Sequence, residues 1–142
     1  MANTFPSSDW MDALIERLNS DKRYAEVAKK WEGDIYVVID PDQSVPSQTE
    51  PVAYYLDLWH GQCRGGYYYE AIPSDGPQAV FTFRTNMTNI LKIFSGELDP
   101  IQAMLTRRLR VEGNMAYLLR NVPTVLDFIR CCRLVPIAAS GS

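Results

Sequence analysis

Five consecutive residues, Ile35-Tyr36-Val37-Val38-Ile39, are apolar and mostly β-branched, and Asp40-Pro41-Asp42 stops them at once. The run is too short for a helix, and with no polar residue alternating through it, it reads as a central strand covered on both faces. Residues 52–59 and 62–72 are also strand-like and meet at His60-Gly61, a hairpin turn. In the first of these, Tyr54, Leu56 and Leu58 share one face while Tyr55, Asp57 and Trp59 share the other. After a turn at Pro73-Ser74-Asp75-Gly76-Pro77, residues 79–84 set Phe81 and Phe83 against Val80, Thr82 and Arg84. Residues 109–112 likewise set Leu109 and Val111 against Arg110 and Glu112, giving a fifth strand.

Helices must lie across these strands. Trp10, Met11, Leu14, Ile15 and Leu18 recur at helical spacing behind Asp9. Ser20 and Asp21 can cap a second helix whose inner face is Tyr24, Val27, Ala28 and Trp31, ending before Gly33. Asn86 caps a helix over residues 87–95 that stops at Gly96, and Asp99-Pro100 opens the next by a cap and a first-turn proline. Residues 115–121 and 123–133 complete the helical set. This order predicts an α+β fold with one sheet and helices packed over it.

With 142 residues, 46% apolar and 22% charged, the chain suits one globular core and excludes disorder, coiled coil and collagen. About two thirds of the surface of a chain this size is buried on folding, so neither disulfide nor metal is required. We divide it into a helical segment over residues 1–30, a main domain over 31–135 and a flexible tail over 136–142, with residues 137–142 frayed. No apolar run approaches the roughly 18 residues of a membrane span. Asp9, Asp12, Glu16 and Arg17 interrupt the opening stretch, where a secretory signal needs an unbroken apolar one. The chain is therefore read as cytoplasmic, and three cysteines, two of them adjacent, fit a reduced compartment.

Charge is unevenly placed: 13 acids face 6 bases over residues 1–83, and 8 bases face 4 acids over residues 84–142. That is too weak a basic bias for nucleic acid, and the tyrosine-rich strands are not interleaved with basic residues as a base-stacking platform requires. The single histidine, His60, sits in a turn; no G-x-S-x-G elbow exists; and Cys63 with Cys131-Cys132 lacks the spacing of a metal site. Gly65-Gly66 lies within a strand-like run, which suits a bulge better than a phosphate loop. Apolar helical faces are nevertheless numerous in the second half. Phe81, Phe83, Ile90, Ile93, Phe94, Ile101, Met104, Leu105, Met115, Leu118, Leu119, Phe128 and Ile129 either fill an ordinary core, which periodicity alone favours, or enclose volume.

One stretch is more specific. Gly96-Glu97-Leu98-Asp99-Pro100-Ile101-Gln102-Ala103-Met104, followed by Leu109-Arg110-Val111-Glu112-Gly113-Asn114-Met115, closely resembles the glycine-x-leucine-aspartate-proline, alanine, basic-strand, glycine run of the sterol carrier protein type-2 family. The similarity extends from about Trp31 to Leu134, and residues 10–31 resemble the helical opening of stand-alone prokaryotic members. Arg107 stands where the family usually has a glycine, and the C-terminal Ser140-Gly141-Ser142 lacks the peroxisomal address of some relatives.

The resemblance implies a mixed five-stranded sheet covered by helices, with an apolar tunnel between them. It implies binding of a lipid, fatty acid, sterol or acyl-CoA without turnover, cofactor or metal, and it makes the thirteen apolar residues candidate tunnel walls. An empty cavity of about 400 Å³ costs on the order of 10 kcal/mol, so such a void is filled or collapsed. Burying twelve methylenes returns up to roughly 10 kcal/mol before ordering costs. Arg107, Arg108 and Arg110 are candidates to attract an anionic head group or to dock on an acidic membrane surface, against the alternative of exposed charges complementing a helix end. Two other functions stay open: an accessory subunit presenting a lipid or quinone intermediate to other enzymes, and an acyl-thioester enzyme using Cys63 or His60. A homodimer through the aromatic strands is open as well.

Overall fold

A computed structural model describes residues 4–46, 48–72 and 78–137. The expected turn at residues 73–77 and the end of the expected tail, residues 138–142, lie outside the described residues. Two helices, α1 (Ser8–Ser20) and α2 (Lys22–Val27), precede three strands, β1 (Ile35–Asp40), β2 (Val52–Trp59) and β3 (Gln62–Tyr69). Then come β4 (Phe81–Asn86), α3 (Met87–Ser95), α4 (Pro100–Leu105), β5 (Arg110–Glu112), α5 (Met115–Arg120) and α6 (Val122–Leu134). The sheet order is β3-β2-β1-β4-β5, with β1 central, β1 and β4 parallel, and the other neighbours antiparallel. The fold is α+β with one mixed five-stranded sheet, as the sequence predicts.

Register explains which residues face the helices. Tyr68, Tyr54, Val37, Phe83 and Val111 pair in one row across all five strands, flanked by the rows Leu56-Ile35-Phe81 and Val52-Ile39-Thr85. These inward residues share one core with Trp10, Leu14 and Leu18 of α1 and with α2, α3, α4 and α6. Ile137 packs against that core, although its place near the end of the chain predicts fraying. Coverage of β1 differs from expectation. Its second face, Tyr36 and Val38, is buried by Ala53, Tyr55, Tyr69 and Ala79 of the sheet and its flank, with no helix residue in that cluster.

Local chemistry sets the boundaries. His60 and Gly61 both take positive φ, 50° and 79°, as a two-residue hairpin turn requires. β4 runs two residues further than its alternation suggests because Asp40 and Asn86 still pair, and the Asn86 side chain then caps α3 by accepting from the Asn89 N–H. α2 is shorter than expected, and Trp31 lies beyond it with Nε1 donating to the Gly33 carbonyl. On β3, an edge of the sheet, the Asn19 amide accepts from the Cys63 N–H at 2.8 Å and donates to its carbonyl at 2.9 Å, occupying backbone groups that an edge strand otherwise leaves unpaired.

The glycine-to-glycine segment is built on a repeated closure. α3 ends with Gly96 at φ 87° and the Leu98 N–H donating to the Lys92 carbonyl; α4 ends with Arg107 at φ 61° and the Leu109 N–H donating to the Ala103 carbonyl. Both leucines are buried behind their turns. Using the Leu109 N–H in this closure keeps that residue out of β5, which begins at Arg110 rather than at Leu109 as expected. Gly113 (φ 139°) has no room for a side chain, since a Cβ would stand 2.5 Å from a Phe81 ring carbon.

Arg107 thus occupies a left-handed position that suits glycine, at a cost of roughly 1–2 kcal/mol. Arg107→Gly is expected to raise stability by about 0.5–1 kcal/mol after glycine's greater freedom in the unfolded chain is subtracted. Thermal melts read this as about 2–4 °C. Gly96→Ala, where a Cβ meets nothing within 4 Å, should lose about 1 kcal/mol through the backbone alone.

α6 is fixed on two sides. Asp21 and Asp127, each with a side chain only 5% exposed, share the Arg130 guanidinium at 2.7 and 2.8 Å, with Arg17 at 3.0 Å from Asp21 and Arg23 at 3.3 Å from Asp127. Asp21 also caps α2 by accepting from the Tyr24 N–H. The hydrogen bond from Arg130, outweighing the opposing effect of burial, draws the Asp21 carboxyl down to about 2. On the other side, Arg133 Nε donates to the Ile93 carbonyl at the end of α3.

Candidate functional site

Between the sheet and the helices lies a cavity of about 70 Å³, and every atom facing it is apolar. Val37, Tyr54, Leu56, Phe83 and Thr85 form its floor; Trp10 and Leu14 of α1, Ile90, Ile93 and Phe94 of α3, Pro100 and Met104 of α4, and Val125, Phe128, Ile129 and Cys132 of α6 close over it, with Phe5 and Leu109. A second apolar cavity of about 20 Å³ is bordered by Tyr24, Trp31, Ile35, Leu58 and Thr124. Phe83, Val125 and Phe128 border both and so stand between them.

Two polar groups of the wall are committed elsewhere, whereas the buried Trp10 Nε1 has no hydrogen-bond partner among the described residues. Thr85 donates its hydroxyl to the Arg108 carbonyl at 2.7 Å, and the Tyr54 hydroxyl is paired with the backbone of Ser7. Three aromatic rings of the wall pack on one another: Phe5 lies 4.8 Å from Trp10 and 5.5 Å from Phe94, and Trp10 stacks on Phe94 at 5.5 Å. The empty space has room for about five waters, well short of a twelve-carbon chain, and leaving it empty costs about 2 kcal/mol. A twelve-carbon chain therefore fits between sheet and helices only if the wall moves.

Of the thirteen apolar residues singled out from the sequence, Phe83, Ile90, Ile93, Phe94, Met104, Phe128 and Ile129 border the cavity. Phe81 and Leu118 lie in solid core, Phe81 against Trp31 and Tyr117. Ile101 is half-buried away from the cavity, and Leu105, Met115 and Leu119 are on the surface. The sequence reading did not single out Phe5, Trp10, Leu14, Val37, Tyr54, Leu56, Thr85, Pro100, Leu109, Val125 and Cys132. Their signal was present in the shared inward parity of Tyr54 and Leu56 and in the Trp10-Leu14-Leu18 stripe.

The candidate arginines lie outside the cavity. Arg107 and Arg108 are exposed, and among the described residues neither reaches a carboxylate. Arg110 approaches Asp40 at 3.9 Å, a carboxylate that Arg84 already holds at 2.6 Å. Cys63 and His60 do not address each other. Cys63 donates to the Gly65 carbonyl and burial pushes its thiol up to about 11, while His60 Nε2 lies 2.6 Å from Glu32. Asp21, Asp127 and Cys131 bring ligand-type atoms within 4.8 Å of one another, but the guanidinium of Arg130 already serves both carboxylates. No helix among the described residues is long and apolar enough to cross a membrane.

Solved structures share this architecture. The chain is similar to a crystal structure of sterol carrier protein 2, with 27% identity, a TM-score of 0.80, and 89% of this chain and 95% of that one covered. It is also similar to a conserved hypothetical protein of Thermus thermophilus, described as possibly a sterol carrier protein, with 25% identity, a TM-score of 0.83, and coverage of 100% and 97%. The apo form of sterol carrier protein 2 from Yarrowia lipolytica, at 18% identity, a TM-score of 0.60, and coverage of 94% and 97%, shares the fold. Among curated protein sequences none matches significantly. The profile of the SCP-2 sterol transfer family matches residues 11–125, which include most of α1, the whole sheet and the glycine-to-glycine segment, and the chain belongs to that family.

Proposed function

We propose that this chain binds a hydrophobic small molecule, such as a sterol, a fatty acid or the acyl part of an acyl-CoA, between its sheet and helices without chemical turnover. The observation that carries this reading is the wholly apolar cavity at the meeting point of α1, α3, α4, α6 and the sheet. Phe83, Ile90, Ile93, Phe94, Met104, Phe128 and Ile129 are the proposed contacts, together with Trp10, Leu14, Tyr54 and Val125. Burial of methylenes at about 0.8 kcal/mol each supplies the affinity, and moving the wall to admit the guest subtracts from it.

Native mass spectrometry of the purified chain, followed by organic extraction, tests the proposal alongside titration with a fluorescent fatty-acid analogue. The expected result is a co-purifying lipid, or saturable binding with a Kd on the order of micromolar that unlabelled lipid displaces. A protein that carries no lipid and fails to bind the analogue would overturn it.

A further inference from the structure

We infer that the corner between α4 and β5, residues 105–108, docks on the surface of an anionic phospholipid bilayer. Leu105 is 73% exposed at the end of α4, and Arg107 and Arg108 follow it with no carboxylate partner among the described residues. An exposed aliphatic side chain beside two free guanidinium groups matches the boundary between acyl chains and acidic head groups, where the leucine enters and the arginines stay at the phosphate level. The corner is held firmly: Thr85 donates to the Arg108 carbonyl, and the Leu109 N–H donates to the Ala103 carbonyl. Arg107 is kept at φ 61° despite the strain, a backbone outlier of the kind that accompanies function.

The same observations favour a bilayer over a dissolved anion. The arginines are exposed outside the cavity, and an exposed leucine adds nothing to the binding of a soluble phosphate. Met104 and Leu109, on either side of the corner in sequence, border the cavity, so docking here sets the cavity wall against the membrane. The chain as a whole carries a net charge of −3, so attraction to an acidic surface has to be local. Each arginine contributes about 5-fold in partitioning, which makes the contact weak and reversible.

Flotation of the full chain with phosphatidylcholine vesicles, with and without phosphatidylglycerol, at low and high salt, tests the inference. The wild type is expected to float with the anionic vesicles alone and to be released by salt. Arg107→Gln with Arg108→Gln should lose about 25-fold, Leu105→Gln about 10-fold, and Arg120→Gln, an exposed arginine on α5, much less. Arg107→Gly with Arg108→Gln, which relieves the backbone at residue 107, should lose as much as the glutamine pair, so that misfolding cannot account for the effect. Equal flotation with both vesicle types, variants that float like the wild type, or release by inorganic phosphate at matched ionic strength would each overturn the inference. Flotation needs no ligand in the cavity, so its failure leaves the proposed lipid binding standing.

Discussion

Replacing Arg130 with alanine is expected to destabilise the chain by about 3 kcal/mol at neutral pH, because two nearly buried carboxylates lose the cation they share. Asp21 and Asp127 are each 5% exposed, and the remaining partners, Arg17 and Arg23, are 42% and 72% exposed and well solvated. In the wild type the folded Asp21 carboxyl titrates at about 2 against an ordinary 3.8. A depressed folded value contributes stability that is complete above the unfolded value and is lost as pH falls through the folded one. For Asp21 this is roughly 2 kcal/mol, present above about pH 4 and gone near pH 2. Urea denaturation of the variant should therefore show its largest deficit at pH 7 and a shrinking deficit below pH 4, as Asp21 takes up a proton. Removing all three charges, with Asp21→Asn, Asp127→Asn and Arg130→Met, should cost less than Arg130→Ala alone, since no unpaired charge is left buried. A deficit independent of pH would assign Arg130 a packing role only.

Arg130 also marks where sequence reading stops. Helix caps at Asn86 and Asp99, the His60-Gly61 turn and the alternation of β2 are local, and each is decided by residues within a few positions of one another. Arg130 meets Asp21 across 109 positions, and no local pattern announces such a pair. The cavity is legible to a similar degree. Ile90, Ile93 and Phe128 can be recognised as inward-facing from periodicity, but whether inward faces touch or leave a gap depends on how helices of different lengths meet the sheet. Leu105 and Leu119 carry the same apolar signal as Phe128 and lie on the surface, because a six-residue helix has only one turn to bury. The glycine-to-arginine change at residue 107 is legible as a departure from a family pattern, whereas its meaning, a left-handed residue closing a helix, needs the backbone.

Val125 is where volume and function can be separated. It is 8% exposed on α6 and borders both cavities together with Phe83 and Phe128. Val125→Phe places a ring in the space through which the two cavities would have to merge around a long guest. Losing burial of three or four methylenes at about 0.8 kcal/mol each lowers affinity by on the order of 100-fold. Stability should change by less than about 1 kcal/mol, because filling a void offsets the strain of a larger side chain. Displacement of a fluorescent fatty acid and urea denaturation, run on the same preparation, give both numbers. A variant that folds as well as the wild type yet barely binds locates the guest between sheet and helices by volume alone. Unchanged affinity in a folded Val125→Phe would move the guest elsewhere, because a chain long enough to bind at micromolar strength does not fit beside that ring unless the wall opens away from α6.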